Sequence, residues 1–168
     1  MNNSTNQHIL EIIEKDDCPF TEYEVYGFFT GLVLSSHEKK ILQDKATKFL
    51  DLSKESVAAV DELLEDIKEK ISDSSFEIYG HNYKDFDNKA SSISEWANYF
   101  LMSFDGATQQ DKNDLETQQI LDIFTEVSQI NQKYMLDEKE NVTKESLNDI
   151  DSFLVKSTLY LFNKNNDK

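Results

Sequence analysis

The chain has 168 residues, of which 33 are acidic and 17 are basic, and every basic residue is lysine, so the formal net charge is −16. This balance excludes an ordinary nucleic-acid-binding protein, because such proteins draw most of their affinity from Lys and Arg that neutralise phosphates, and it disfavours anionic membranes. The single cysteine, Cys18, excludes an intramolecular disulfide, and we expect a soluble protein in a reducing, cytoplasmic compartment.

Helical spacing of apolar residues dominates the start of the chain. The isoleucines within 9–13 indicate a short helix that Pro19 ends, because proline restricts the residue before it. Thr21 and Glu24 form an S/T-x-x-E capping box ahead of a second helix, which is predicted to end near Ser35. Its apolar residues recur at i, i+3, i+4, i+7 and i+8, a spacing typical of a helix face buried in a core. They are Val25, Phe28, Phe29, Leu32 and Val33.

Two more helices are predicted before residue 73. The first covers 38–52, and Ser53 is a candidate N-cap for the second. In the second, apolar residues step by three and four positions along a charged helix, which predicts one narrow apolar seam packed within a bundle. The inward residues are Ile41, Leu42, Phe49 and Leu50 in the first helix and Val57, Val60, Leu64, Ile67 and Ile71 in the second.

An aromatic-rich loop is predicted over 74–88, where it either packs over the core or offers a contact to a partner. Helical spacing returns near Ser92 and is predicted to stop at 105–106, because glycine often follows a helix end. The inward residues of this helix are Trp96, Phe100, Leu101 and Phe104.

Two helices complete the prediction. One covers 112–131, a charged connector follows over 134–141, and Thr143 caps the last helix, beyond which 163–168 is expected to fray. The inward residues are Leu115, Ile120, Phe124, Val127 and Ile130 in the first and Leu147, Ile150, Phe153, Leu154, Leu161 and Phe162 in the second.

The fold class predicted from these elements is all-α. No run of alternating apolar and polar residues supports a sheet, so we expect a single-domain helical bundle of about six or seven helices over 1–168. A subdivision into halves 1–73 and 88–163, joined by the aromatic loop, stays open.

The sequence contains no recognisable metal site. His8, His37 and His81 have no second His or Cys at ligand spacing, and no Glu-x-x-His motif of the di-iron type occurs. Segment 85–88 starts like a calcium loop but lacks the later glycine and glutamate. No metal ligand and no cofactor are therefore predicted.

No catalytic residue is predicted either. The neighbouring Asp16 and Asp17 would raise the pKa of the Cys18 thiol, which disfavours a nucleophilic role. Glu62 and Asp66, like their neighbours on the fourth helix, form an exposed acidic stripe, whereas acid–base catalysis needs carboxyls in a shielded cleft.

Two glycines, Gly27 and Gly31, lie one turn apart inside the apolar second helix. Each interior glycine costs about 1 kcal/mol relative to alanine, so keeping both implies that another backbone presses on this face. That backbone belongs either to the same chain or to a second subunit or partner. Trp96 and Phe100 join them as candidate helix-packing or interface residues.

Two segments resemble motifs of the YgfB/YecA family of small bacterial proteins. Residues 21–32, TEYEVYGFFTGL, resemble its opening motif, and residues 95–103, EWANYFLMS, resemble its Trp-x-x-x-Phe-Leu segment. The later order of a helix, an acidic connector and a last helix is also similar, although Ser103 and Asp105 stand where the family usually has glycine. The Cys-rich zinc module of longer YecA-like members does not follow, so the chain resembles the short YgfB type. The resemblance implies an all-α fold and no established catalytic residue.

These observations predict a non-enzymatic, acidic regulatory protein that binds another protein, for which a basic surface is the natural complement. Direct binding to nucleic acid or membrane is not expected, and a homodimer stays open. Two alternatives remain, namely a carboxylate-based, metal-dependent hydrolase and an acidic nucleic-acid mimic that occupies the groove of a DNA-binding protein.

Overall fold

Helices are the only regular structure in the described part of the chain. The computed structural model describes residues 1, 3–35, 38–79, 86–104, 114–130 and 144–166, and no strand occurs among them. The predicted all-α bundle of about six or seven helices is confirmed. The helices are α1 (Asn3–Lys15), α2 (Glu22–Leu34), α3 (Lys39–Phe49), α4 (Val57–Ser72), α5 (Phe86–Ser103), α6 (Leu115–Ser128) and α7 (Lys144–Asn166), with a 3-10 turn at Lys54–Ser56 before α4.

Helix α2 lies at the centre of the bundle. Its predicted capping box is confirmed: the Thr21 side chain accepts from the Glu24 amide, and the Glu24 carboxylate accepts from the Thr21 amide at 2.8 Å. Nearly all its residues from Val25 to Leu34 are buried, as expected for a helix that is apolar on every side. It packs mainly against α5 and also contacts α1, α3, α4 and α7.

The main contact of α2 is a close approach of its backbone to that of α5. A Cβ atom added to Gly27 would overlap the Trp96 carbonyl oxygen and lie 2.8 Å from the Trp96 carbonyl carbon. A Cβ atom added to Gly31 would lie 2.6 Å from the Phe100 carbonyl oxygen. Only glycine fits at both positions, so the backbone that presses on this face belongs to the same chain.

Aromatic rings fill the space that this contact encloses. The Trp96 ring lies 5.2 Å from the Phe100 ring and 5.9 Å from the Phe124 ring of α6, centroid to centroid. Phe28 of α2 also stacks on Phe49 of α3, with 4.0 Å between the ring centroids. One hydrophobic core thus joins residues of 1–73 to residues of 88–163.

A polar cluster fastens α1 to α4. The buried Lys70 ammonium donates to Ser4 Oγ at 2.7 Å and pairs with Asp66 Oδ2 at 2.5 Å, and Thr5 Oγ1 donates to Asp66 at 2.7 Å. Partial burial raises the pKa of Asp66, but the hydrogen bonds from Lys70 and Thr5 outweigh it and hold the pKa below its usual value. Asp66 therefore faces a buried cation instead of lying on the predicted exposed stripe.

Several predicted boundaries are wrong. Helix α5 begins at Phe86 and not near Ser92, and the three residues that follow Phe86 are polar and gave no apolar spacing to read. Ser53 makes no capping hydrogen bond and precedes the 3-10 turn. The predicted frayed tail is helical to Asn166, and the Asn165 side chain donates to the Leu34 carbonyl oxygen at 2.8 Å.

Two residues predicted to face the core are exposed, namely Ile41 (42%) of α3 and Leu115 (72%) of α6. In the described part of the aromatic segment, Phe76 and Ile78 are buried in the core. The stop at 105–106, the connector 134–141, Thr143 and Tyr83 lie outside the described residues.

Replacing Gly27 by alanine tests the backbone contact. Helix propensity alone would stabilise the protein by about 1 kcal/mol, whereas the clash with the Trp96 carbonyl is expected to cost about 3 kcal/mol through overpacking. We expect Gly27→Ala to lower the free energy of unfolding in urea. Ala58→Gly, on the exposed side of α4, calibrates the propensity effect, and a stabilised Gly27→Ala protein would contradict the close contact.

Candidate functional site

The four residues singled out from the sequence meet inside the protein. Gly27 and Gly31 face the backbone of α5, and Trp96 and Phe100 are fully buried between α2 and α6. They fix how α2, α5 and α6 pack together, and they are not accessible to a partner. Any pairing of two copies would therefore have to use another surface.

Cys18 is buried at the turn between α1 and α2. Burial, more than the neighbouring carboxylates of Asp16 and Glu24, raises the pKa of its thiol. The direction agrees with the sequence-based expectation, but burial is the main cause and Asp17 does not contribute. A thiol of this kind is a poor nucleophile.

A buried ion pair joins α5 to α7. Lys89 Nζ lies 3.1 Å from Asp151 Oδ2 and donates to Asn148 Oδ1 at 2.8 Å. Both charged side chains are almost fully buried, and Lys89 lies over the Tyr79 ring at 5.7 Å. This pair could not be predicted from the sequence, because its members come from separate helices with no local signature.

An open cavity of about 270 Å³ lies beside this pair, and Asp151 forms part of its wall. Among the described residues, Asp151 Oδ1 has no hydrogen-bond partner. A buried carboxylate oxygen at a cavity commonly binds ordered water. We interpret the pair as a device that fixes α7 on α5.

The outer face of α6 combines apolar and acidic side chains. Leu115 is 72% exposed and Ile123 39% exposed, and eight residues of helix separate them by about 12 Å. Three carboxylates lie exposed on the same face, and α6 contains no lysine. The members of this face, which we call the α6 face, are Leu115, Glu116, Gln119, Asp122, Ile123 and Glu126.

The start of the α6 face is held by α7. Asp114 caps α6 by accepting from the Thr117 amide at 2.8 Å, and it also pairs with Lys164. Hydrogen bonds from Lys164 and Thr117 hold the pKa of Asp114 far below its usual value. Tyr160 donates to Glu116, and this bond raises the pKa of Tyr160 to about 12. Leu115 is therefore exposed on a helix turn that Tyr160 and Lys164 of α7 hold in place.

The chemistry of the α6 face favours binding. Its carboxylates are hydrogen-bond acceptors in contact with solvent. Its two apolar residues lie about 80° apart around the helix axis, at two edges of the same exposed face. An amphipathic helix with basic residues beside its apolar positions would complement both features.

No protein-family model matches the sequence, and no curated protein matches it. None of the described helices has the length and apolar character needed to cross a membrane.

Removing one member of the buried ion pair should destabilise the protein strongly. Asp151→Ala takes the carboxylate from the buried Lys89 ammonium, which we expect to cost about 3 kcal/mol in urea unfolding. The double variant Lys89→Met/Asp151→Leu removes both charges and should recover most of the loss. A double variant no more stable than Asp151→Ala would show that the loss does not come from an uncompensated charge on the buried Lys89.

Proposed function

We propose that the chain is a non-enzymatic, acidic regulatory protein that acts by binding a basic, amphipathic segment of another protein on the α6 face. The observation that carries this proposal is the exposure of Leu115 and Ile123 among three carboxylates on a helix without lysine. Apolar side chains exposed among carboxylates can give a basic partner both apolar burial and charge attraction.

The spacing of the α6 face suits a helical partner. Leu115 and Ile123 lie about two turns apart, so a partner helix with apolar residues at i and i+7 or i+8 can contact both. Lysine or arginine beside those positions would lie near Glu116, Asp122 and Glu126. The attraction between these opposite charges would chiefly increase the association rate, and it would weaken as the salt concentration rises.

The overall charge supports the choice of a protein as partner. A chain of net charge −16 repels nucleic acid and anionic lipid but attracts a basic protein surface. We place this binding in the cytoplasm, because a chain with one cysteine cannot form an intramolecular disulfide and so suits a reducing compartment. The carboxylates of the α6 face are exposed, which disfavours acid–base catalysis there, and no arrangement in the described residues favours the nucleic-acid mimic.

Membership of the YgfB/YecA family is part of this proposal. Its support is that the two segments that carry the resemblance contact each other, since Gly27 and Gly31 of the first lie against Trp96 and Phe100 of the second. The all-α fold agrees with the fold that the family implies.

Photo-crosslinking in the native cell tests the partner class. A crosslinking amino acid at Gln119, in the middle of the α6 face, should capture a protein through a peptide rich in Lys or Arg with helically spaced apolar residues. The same amino acid at Gln7, exposed on α1, serves as the matched control. Capture at both positions alike, or of acidic peptides at Gln119, would contradict the proposal.

Charge variants then test the α6 face on the purified partner. We expect Asp122→Asn/Glu126→Gln to raise Kd about tenfold at low salt, a change of about 1.4 kcal/mol, and to flatten its dependence on salt. Ile123→Ser should raise Kd by a similar factor through lost apolar burial.

The control for these variants is Glu14→Gln/Glu69→Gln, on exposed positions of α1 and α4, because it makes the same change in net charge. An equal effect of the control pair, or a Kd that is indifferent to salt, would show that the binding does not use the α6 face.

A further inference from the structure

Three potential metal ligands meet where α1 and α4 pack together. His8 and Glu11 lie one turn apart on α1, and Glu62 faces them from α4. One ligand atom of each residue lies within 4.8 Å of the other two, and His8 Nδ1 lies 3.6 Å from Glu62 Oε2. Nitrogen and oxygen ligands bound to zinc at about 2.1 Å would lie roughly 3.4 Å apart, so small rotamer changes bring all three into range.

The electrostatics of this cluster differ from those of its neighbour on the same two helices. One turn along α4, the carboxylate of Asp66 is paired with the Lys70 ammonium. Among the described residues, no lysine pairs with Glu11 or Glu62. Two carboxylates therefore face each other across a helix contact in a chain of charge −16, where a divalent cation would replace their repulsion by attraction.

We propose that His8, Glu11 and Glu62 bind one divalent transition-metal ion of the zinc type, and that this ion fastens α1 to α4. The imidazole favours zinc, cobalt or nickel over magnesium and calcium, which prefer oxygen ligands alone. Three protein ligands leave at least one coordination position to water. This inference is independent of the α6 face and does not rest on the proposed function.

The sequence contains two of the three proposed metal ligands at a recognisable spacing. His8-x-x-Glu11 places an imidazole and a carboxylate on one side of a helix, because residues at i and i+3 are neighbours. The motif runs in the opposite direction to the Glu-x-x-His of di-iron sites, and its third member comes from another helix. Sequence analysis alone predicted no metal ligand here.

Titration of the full chain with metal salts tests the site. Calorimetry with Zn²⁺ in a non-chelating buffer should show saturable binding of one ion per chain, and Co²⁺ should develop visible d–d absorption. Zn²⁺ should also raise Tm, since binding to the folded state alone stabilises it, whereas Mg²⁺ at the same concentration should leave Tm nearly unchanged.

Variants distinguish this site from diffuse binding to an acidic surface. His8→Ala and Glu62→Gln should each weaken Zn²⁺ binding at least about tenfold and abolish the rise in Tm. Gln7→Ala and Glu14→Gln, exposed on α1, are the matched controls and should bind like the parent chain. Circular dichroism checks that each variant is folded.

Three results would overturn the proposal: no saturable Zn²⁺ binding, unchanged binding in the folded His8→Ala and Glu62→Gln variants, or an equal rise in Tm with Mg²⁺.

Discussion

The close approach of α2 and α5 is the constraint on which the rest of the fold depends. Gly27 and Gly31 remove the side chains that would keep the two backbones apart, and the contact fixes Trp96 and Phe100 in the centre of the core. Helix α6 then packs on these rings through Phe124. The orientation of α6, and with it the exposure of the α6 face, thus follows from two glycines on a distant helix.

Buried charges organise the remaining contacts. Lys70 pairs with Asp66 within α4, and this pair bonds to Ser4 and Thr5 of α1. Lys89 of α5 pairs with Asp151 of α7. A buried charge is tolerated only when it is paired, so the Lys89–Asp151 pair favours the packing of α5 against α7, and the bonds of Lys70 and Asp66 to Ser4 and Thr5 favour that of α4 against α1. Acidic residues still outnumber basic ones by a wide margin, and much of that excess is exposed, as on α6. The proposed binding function depends on this exposed part of the acidic surface, because an exposed face can contact a partner.

The features that could be predicted from the sequence depend on residues that lie close together in the chain. The Thr21 and Glu24 capping box and the two glycines of α2 act within a few residues of each other, and their effect can be read from spacing. Periodicity could not show that Leu115 and Ile41 are exposed, because it identifies an apolar position without showing whether a neighbour reaches it. The pairing of Lys89 with Asp151 and the approach of Glu62 to His8 depend on tertiary packing, which no local pattern contains.

Native-state hydrogen exchange tests most directly whether the α2–α5 contact organises the fold. Amides that open only on global unfolding report the most stable part of a protein. The account predicts that amides within 27–32 of α2 and 96–101 of α5 exchange last, with a free energy equal to that of global unfolding, while α1 and α3 open at lower free energy. Exchange of the α2 or α5 amides through local opening, ahead of those of α1 or α3, would contradict it.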